Sequence, residues 1–174
     1  MKLFKRLMTA LLAAVLAAGM LAGCSGAPAA PNTPLPSDAE ALALYQGVSE
    51  TCTRYNVKTP VYAAELEPIA QEIAEAAVIH RYYTTQPSAA VIDKAKTDVS
   101  ALADGAEYLV YDLNPYDAAV KTPLSVTSMK NTIIQKGANR MGIVIVTLTN
   151  ADTKEEVKYE CTVYARFPDA AAQE

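Results

Sequence analysis

Residues 142–149 read Gly-Ile-Val-Ile-Val-Thr-Leu-Thr and are apolar on both faces of an extended chain. A strand with one wet face alternates; a run like this one asks for cover on both sides, as a central strand receives. A turn at Asn150–Lys154 follows. Glu156 to Phe167 then alternates, with Val157, Tyr159, Cys161, Val163, Ala165 and Phe167 on one side and a wetter face opposite. The two runs predict a C-terminal β-hairpin, and the layers that cover it must come from upstream.

Upstream lie three helical patterns. Ser37 is placed to cap the first, which runs to about Tyr55 with the stripe Ala41, Leu44, Val48, Cys52, Tyr55. The second is expected from about Leu66 to Tyr82, with Pro68 in its first turn and the stripe Leu66, Ile69, Ile73, Ala77, His80. Ser88 caps a third that carries Val91, Ala95, Val99 and Leu102 and stops at Asp104-Gly105. Glu107 to Leu113 reads as a strand. Residues 115–137 read as short helical pieces split by Pro123 and closed by Gly137. Strands beneath helices on both sides give an α+β fold, a three-layer α–β–α sandwich over residues 38–168, with 169–174 as a disordered tail.

The chain before this domain has its own grammar. Lys2, Lys5 and Arg6 precede an uncharged run from Leu7 to Leu21 that is too short for a bilayer, which needs ~20 apolar residues. A charged start, a short apolar run and small residues at a cut site mark residues 1–23 as a secretory signal. Leu21-Ala22-Gly23-Cys24 resembles the lipobox of bacterial lipoproteins, which implies a diacylglycerol thioether on Cys24 and a lipid anchor on the extracytoplasmic face of a cell membrane or outer membrane. Two or three acyl chains on one residue hold a protein firmly where a single chain does not. Residues 24–37 form a linker holding four of the ten prolines, and thirteen residues of such sequence extend ~40 Å.

The formal charge of −4 includes the three cations of the signal, so its loss leaves the chain more acidic. That balance argues against nucleic acid and anionic headgroups as partners. Cys52 and Cys161 both fall on apolar sides of their elements. They are either a disulfide pair, worth ~4–5 kcal/mol in the chain-entropy picture, or two separate buried thiols. One histidine and no Cys-x-x-Cys leave no zinc constellation, so neither metal nor cofactor is expected. Gly137–Gly142 imitates half a phosphate loop but lacks Lys-Ser/Thr and opens a strand. No Gly-x-Ser-x-Gly elbow is present. His80 is the one imidazole, more at home as a packed residue near a helix end than as a catalyst. Ten tyrosines stand against two phenylalanines, a composition suited to stacking or gripping a partner as well as to edging a core.

Several segments resemble the CAP domain (cysteine-rich secretory, antigen 5 and pathogenesis-related 1 proteins). Leu66–Ala74 is similar to its Leu-x-x-x-Ala-x-x-x-Ala helix, and Ala106–Leu109 to its Gly-Glu-Asn-Ile strand. Asn131–Ile134, Arg140–Ile145 and Tyr164–Phe167 resemble its later motifs, in the same order across residues 66–167. The resemblance implies a cleft of two histidines and two acids, of which only Glu107 keeps its counterpart. One histidine position falls on Met129, followed by Lys130, and the other near Tyr83 or Thr84, with His80 one turn earlier. A cleft without both imidazoles implies a degenerate member that binds rather than catalyses. Glu107, His80 and Tyr83 are then the candidate binding residues, and an envelope glycan, lipid or protein the ligand. Two other readings stay open: an envelope hydrolase using Glu107 with His80 as acid and base, and an accessory subunit of an envelope complex.

Overall fold

Asp38 opens the first helix. In extended conformation, it accepts a hydrogen bond on Oδ1 from Ala41 N at 2.8 Å, which starts α1 at Ala39–Arg54. The expected cap at Ser37 is therefore one residue early: a carboxylate both satisfies the free N–H and meets the positive end of the helix. At the far end Asn56 takes φ +53°. Asn56 N donates to Thr53 O and Val57 N to Cys52 O, the paired bonds that close a helix through a left-handed residue. This computed structural model describes residues 34–119 and 130–168, which fall in one compact unit. The signal, Cys24, most of the linker, Pro123, Met129 and the tail lie outside them.

After α1 come β1 (Val61–Tyr62), a 3₁₀ turn (Ala64–Leu66) and α2 (Glu67–Glu75). The short pair β2 (Val78–Ile79) and β3 (Thr84–Thr85) leads to α3 (Ala89–Leu102) and β4 (Glu107–Pro115). Of the helical stretch expected over 115–137, a π-helical turn forms at Lys130–Gln135, whereas Pro115 ends β4 and residues 116–119 are not helical. β5 (Arg140–Thr149) and β6 (Glu156–Arg166) follow. They pair antiparallel along their length, from Arg140 opposite Ala165 to Thr149 opposite Glu156. The larger sheet has the order β1-β5-β6-β4, with β1 parallel to β5 and the other pairs antiparallel. The fold is thus mixed α and β, compatible with the α+β class.

Alternation along β5 and β6 feeds two apolar clusters. Met141, Ile143 and Tyr164 join Leu44, Val48 and Cys52 of α1; Cys161, Val163 and Ala165 join Ile69 and Ile73 of α2 and Val99 of α3. One expectation gives way in part here, and one open alternative is decided. The side of β6 read as wet is exposed at Glu156, Lys158 and Arg166 but covered between them, with Glu160 and Thr162 buried, because β6 lies between β4 and β5 and α1 covers that stretch. Cys52 and Cys161 are free thiols in different clusters, on opposite sides of the sheet, and form no disulfide.

The second helix also ends earlier than its stripe suggests. α2 stops at Glu75, and β-branched Val78 and Ile79 turn extended to pair with Thr85 and Thr84. Alternation then buries Ile79 and turns His80 toward the rim, off the helix where the 3.6-residue period placed it. Leu66 packs so closely on β5 that a Cβ on Gly142 would lie 2.5 Å from Leu66 Cβ and 2.9 Å from its carbonyl carbon. Backbone atoms do not yield as a flexible side chain does. Gly142→Ala is expected to cost about 1–3 kcal/mol in chemical denaturation, as overpacking does; a loss below about 0.5 kcal/mol would show that the helix can retreat.

Candidate functional site

Glu107 is the first residue of β4 and sits opposite Arg166, the last of β6. It pairs with Arg166 Nη2, and both side chains are half exposed. His80 stands elsewhere. Its Nδ1 lies 3.2 Å from Asp152 Oδ1, and its ring stacks on Tyr83 with centroids 4.5 Å apart. Asp152 belongs to the turn before β6, and Ala151 N donates to Ile79 O, which docks this pair at that end. The Arg81 backbone N–H, then the His80 ring, hold the Asp152 carboxyl below its usual range. Glu156 to Arg166 is the length of β6, so at ~3.3 Å per residue about 30 Å separates the two places. The structure brings His80 and Tyr83 together and leaves Glu107 at the far end of the sheet. The single cleft expected of the three residues is not formed, because β4 runs antiparallel to β6 and begins where β6 ends. Lys130 opens the π-helical turn and is exposed.

A concave surface does exist, along the flank of β5 that faces away from β6. The groove, about 390 Å³, is lined by Ile143–Thr147 of β5, by Glu67, Gln71 and Glu75 of α2, and by Ser37 and Asp38 at the start of α1. It exists because β1 is only two residues long. Tyr45 OH donates to Pro60 O and packs edge-on against Tyr62, while Tyr62 OH donates to Glu67, so the chain is drawn into α2 straight after Tyr62. Among the described residues, three carboxylates and no cation line this groove. Side-chain motifs could not have announced it, since its floor is a strand edge; the nearest signal was the short extended stretch between Pro60 and Glu65.

Between β4 and β6, on the α1 side, runs a polar row, buried at Glu160, Thr162 and Tyr164 and more open at Asp112 and Asn114. Asp112 lies opposite Thr162, and Asn114 opposite Glu160, with Tyr164 one step further. Asn114 Nδ2 reaches Glu160 Oε1 at 3.5 Å. Among the described residues, Asp112 Oδ2, Thr162 Oγ1 and Tyr164 OH have no hydrogen-bond partner. Burial, with the nearby Asp112 charge adding to it, pushes the Glu160 carboxyl up to about 7. Asp112 is raised as well, by burial, against the pull of Lys136. The same burial pushes the Cys161 thiol up to about 12, so it stays protonated and unreactive. No group of three metal-ligating side chains occurs among the described residues, and none of their helices is long and apolar enough to cross a membrane. No family model, curated protein or solved structure matches the chain.

A carboxyl that binds its proton more tightly when folded favours the fold at low pH. Stability from Glu160 is fully present below the unfolded carboxylate value near 4.5 and is lost as pH rises through about 7. Melting followed between pH 5 and 8 should show a fall on the order of 3 kcal/mol. Glu160→Gln keeps the shape and removes the titration, so its melting should be flatter across that window; an unchanged slope would assign the pH dependence to other groups.

Proposed function

We propose that the chain is a lipid-anchored extracytoplasmic lipoprotein whose domain is a non-catalytic binding module, and that the acidic groove beside β5, rather than a cleft at Glu107, is its binding surface. The observation that carries this is the groove itself: a built concavity that is, among the described residues, uniformly acidic and set beside a stretch of β5 that no described strand pairs. The anchor rests on Leu21–Cys24, and the finer fold reading, a three-layer α–β–α sandwich of CAP kind closed by a C-terminal hairpin, draws support from the apolar clusters on either side of the sheet. A hydrolase that joins Glu107 to His80 loses its geometric basis, because Glu107 is engaged by Arg166 and His80 by Asp152 at the other end.

An accessory subunit of an envelope complex keeps one observation in its favour. Around the β2–β3 turn, Val78, Tyr82 and Tyr83 are exposed, Tyr82 by 84% and Tyr83 by 64%. Crosslinking in intact cells that yields one dominant partner band, lost in Tyr82→Ser/Tyr83→Ser, would favour that reading.

The anchor is tested in a bacterial host fed a clickable fatty acid. The wild type should label, partition with membranes and begin at Cys24 by mass spectrometry, and Cys24→Ala should do none of these. Unmodified precursor dissolved in the cytosol would overturn the reading. Glu107→Ala should shift stability by less than about 1 kcal/mol, as for other exposed ion pairs, and leave ligand binding intact; turnover of peptide, glycan or ester that disappears in this variant would reinstate the hydrolase.

A further inference from the structure

The free flank of β5 has a definite polarity. β1 covers it only at Arg140 and Met141, and a single bridge from Asn150 to Ile79 closes its far end. Val61 N donates to Asn139 O and Ala63 N to Met141 O, while at the other end Ala151 N donates to Ile79 O. The carbonyls of Asn139 and Met141 and the N–H of Ala151 therefore point to this flank. The two-residue period of a strand turns Ile143, Ile145 and Thr147 the same way, with Ile143 itself buried, Ile145 half-buried and Thr147 exposed. Among the described residues no strand answers these N–H and C=O groups. An uncharged, β-branched edge of this kind is a template for another strand unless something guards it.

The wall above the edge sets what can be added. Glu67, Gln71 and Glu75 are four residues apart along one line of α2, about 6 Å per step, and α2 runs alongside β5. Alternate side chains of an extended peptide recur every ~6.7 Å, so three of them match that line. The acids are held in place: Glu67 accepts from Tyr62 OH, Glu75 accepts from Gln71 Nε2 at 2.8 Å, and Asp38 is fixed by its cap. Each keeps a second oxygen for a guest.

We infer that the groove binds an extended cationic peptide segment of another protein by strand addition to Ile143–Thr147, with Lys or Arg at the two ends of a five-residue stretch and a polar residue between them facing Gln71. The inference rests on the binding-module reading and names its ligand class. A second copy of this chain is the poorer guest, because edge-to-edge pairing would set Asp38, Glu67 and Glu75 against the same three acids. The chain's own leader is poorer still, since residues 25–36 carry no cation and four prolines without an N–H.

The test uses the full lipidated chain in detergent and the peptide acetyl-Lys-Val-Thr-Val-Lys-amide. Its controls are the Glu-for-Lys reversal and two forms N-methylated on alternate sets of residues. The Lys peptide should bind, more weakly as salt rises, and the Glu peptide should not. Only one alternate set of guest N–H groups faces β5, so one methylated form should lose binding and the other keep it. Amide exchange should slow at Ile145 and Thr147, and Glu67→Gln/Glu75→Gln should weaken binding about tenfold. Equal binding of both charges, indifference to both methylations or protection elsewhere would overturn the proposal. Slow exchange at those amides without peptide, tracking a concentration-dependent dimer, would overturn it too. Mass spectrometry of the recovered peptide separates the two failures: a cleaved peptide refutes the non-catalytic reading, whereas an intact, unbound one refutes strand addition alone.

Discussion

The middle of strand β6, from Tyr159 to Ala165, has no side open to water. β5 pairs along one edge and β4 along the other, α1 closes one face, and α2 with α3 closes the opposite face. Much of what is unusual in the molecule follows from that enclosure. Glu160 holds its proton because it faces α1 rather than solvent. The strand's length, not the fold's width, fixes how far Glu107 stands from His80, because each docks at a different end of it. The burial that β6 receives also leaves β5, its neighbour, as the last long strand on that side, with β1 too short to finish the sheet.

The helical stripes were legible because periodicity reports burial directly. Leu44, Val48 and Cys52, Ile69 and Ile73, and Ala95 and Val99 are all buried where their spacing put them. What the spacing lacked was knowledge of where a period stops. Ala77 is buried and keeps the stripe's rhythm, yet Val78 and Ile79 have already left the helix, and His80 went with them. Nor does alternation say what lies over a face. Glu160 and Thr162 look like the wet side of a strand, and only the position of α1 makes them interior. Ser37 looked like the cap, and one hydrogen bond, from Ala41 N to Asp38 Oδ1, moved that role to its neighbour.

The site was less legible than the fold for a physical reason. Glu107, His80 and Tyr83 drew notice as side chains suited to chemistry or stacking, yet residue type says nothing of which end of a sheet each one reaches. The groove beside β5 is built largely from main-chain groups, whose availability depends on the absence of a neighbouring strand, and no local pattern encodes an absence. Its acidic wall could be read as an ordinary solvated helix face until α2 was seen to run beside that edge. An open strand edge with a uniform charge beside it is a common compromise: the charge discourages self-pairing while leaving the edge usable by a partner of opposite sign.

If the chain is exported as proposed, the separation of Cys52 from Cys161 has a consequence for how it matures in an oxidising compartment. With the sheet as a wall between them, neither sulfur can reach the other without unfolding, and the native state contains no bond that a thiol oxidase must make. Folding is then free of the slow shuffling that disulfide-dependent exported proteins undergo. The race that matters is instead between burying two thiols and having them captured by a wrong partner, and a chain that closes its sheet quickly wins it.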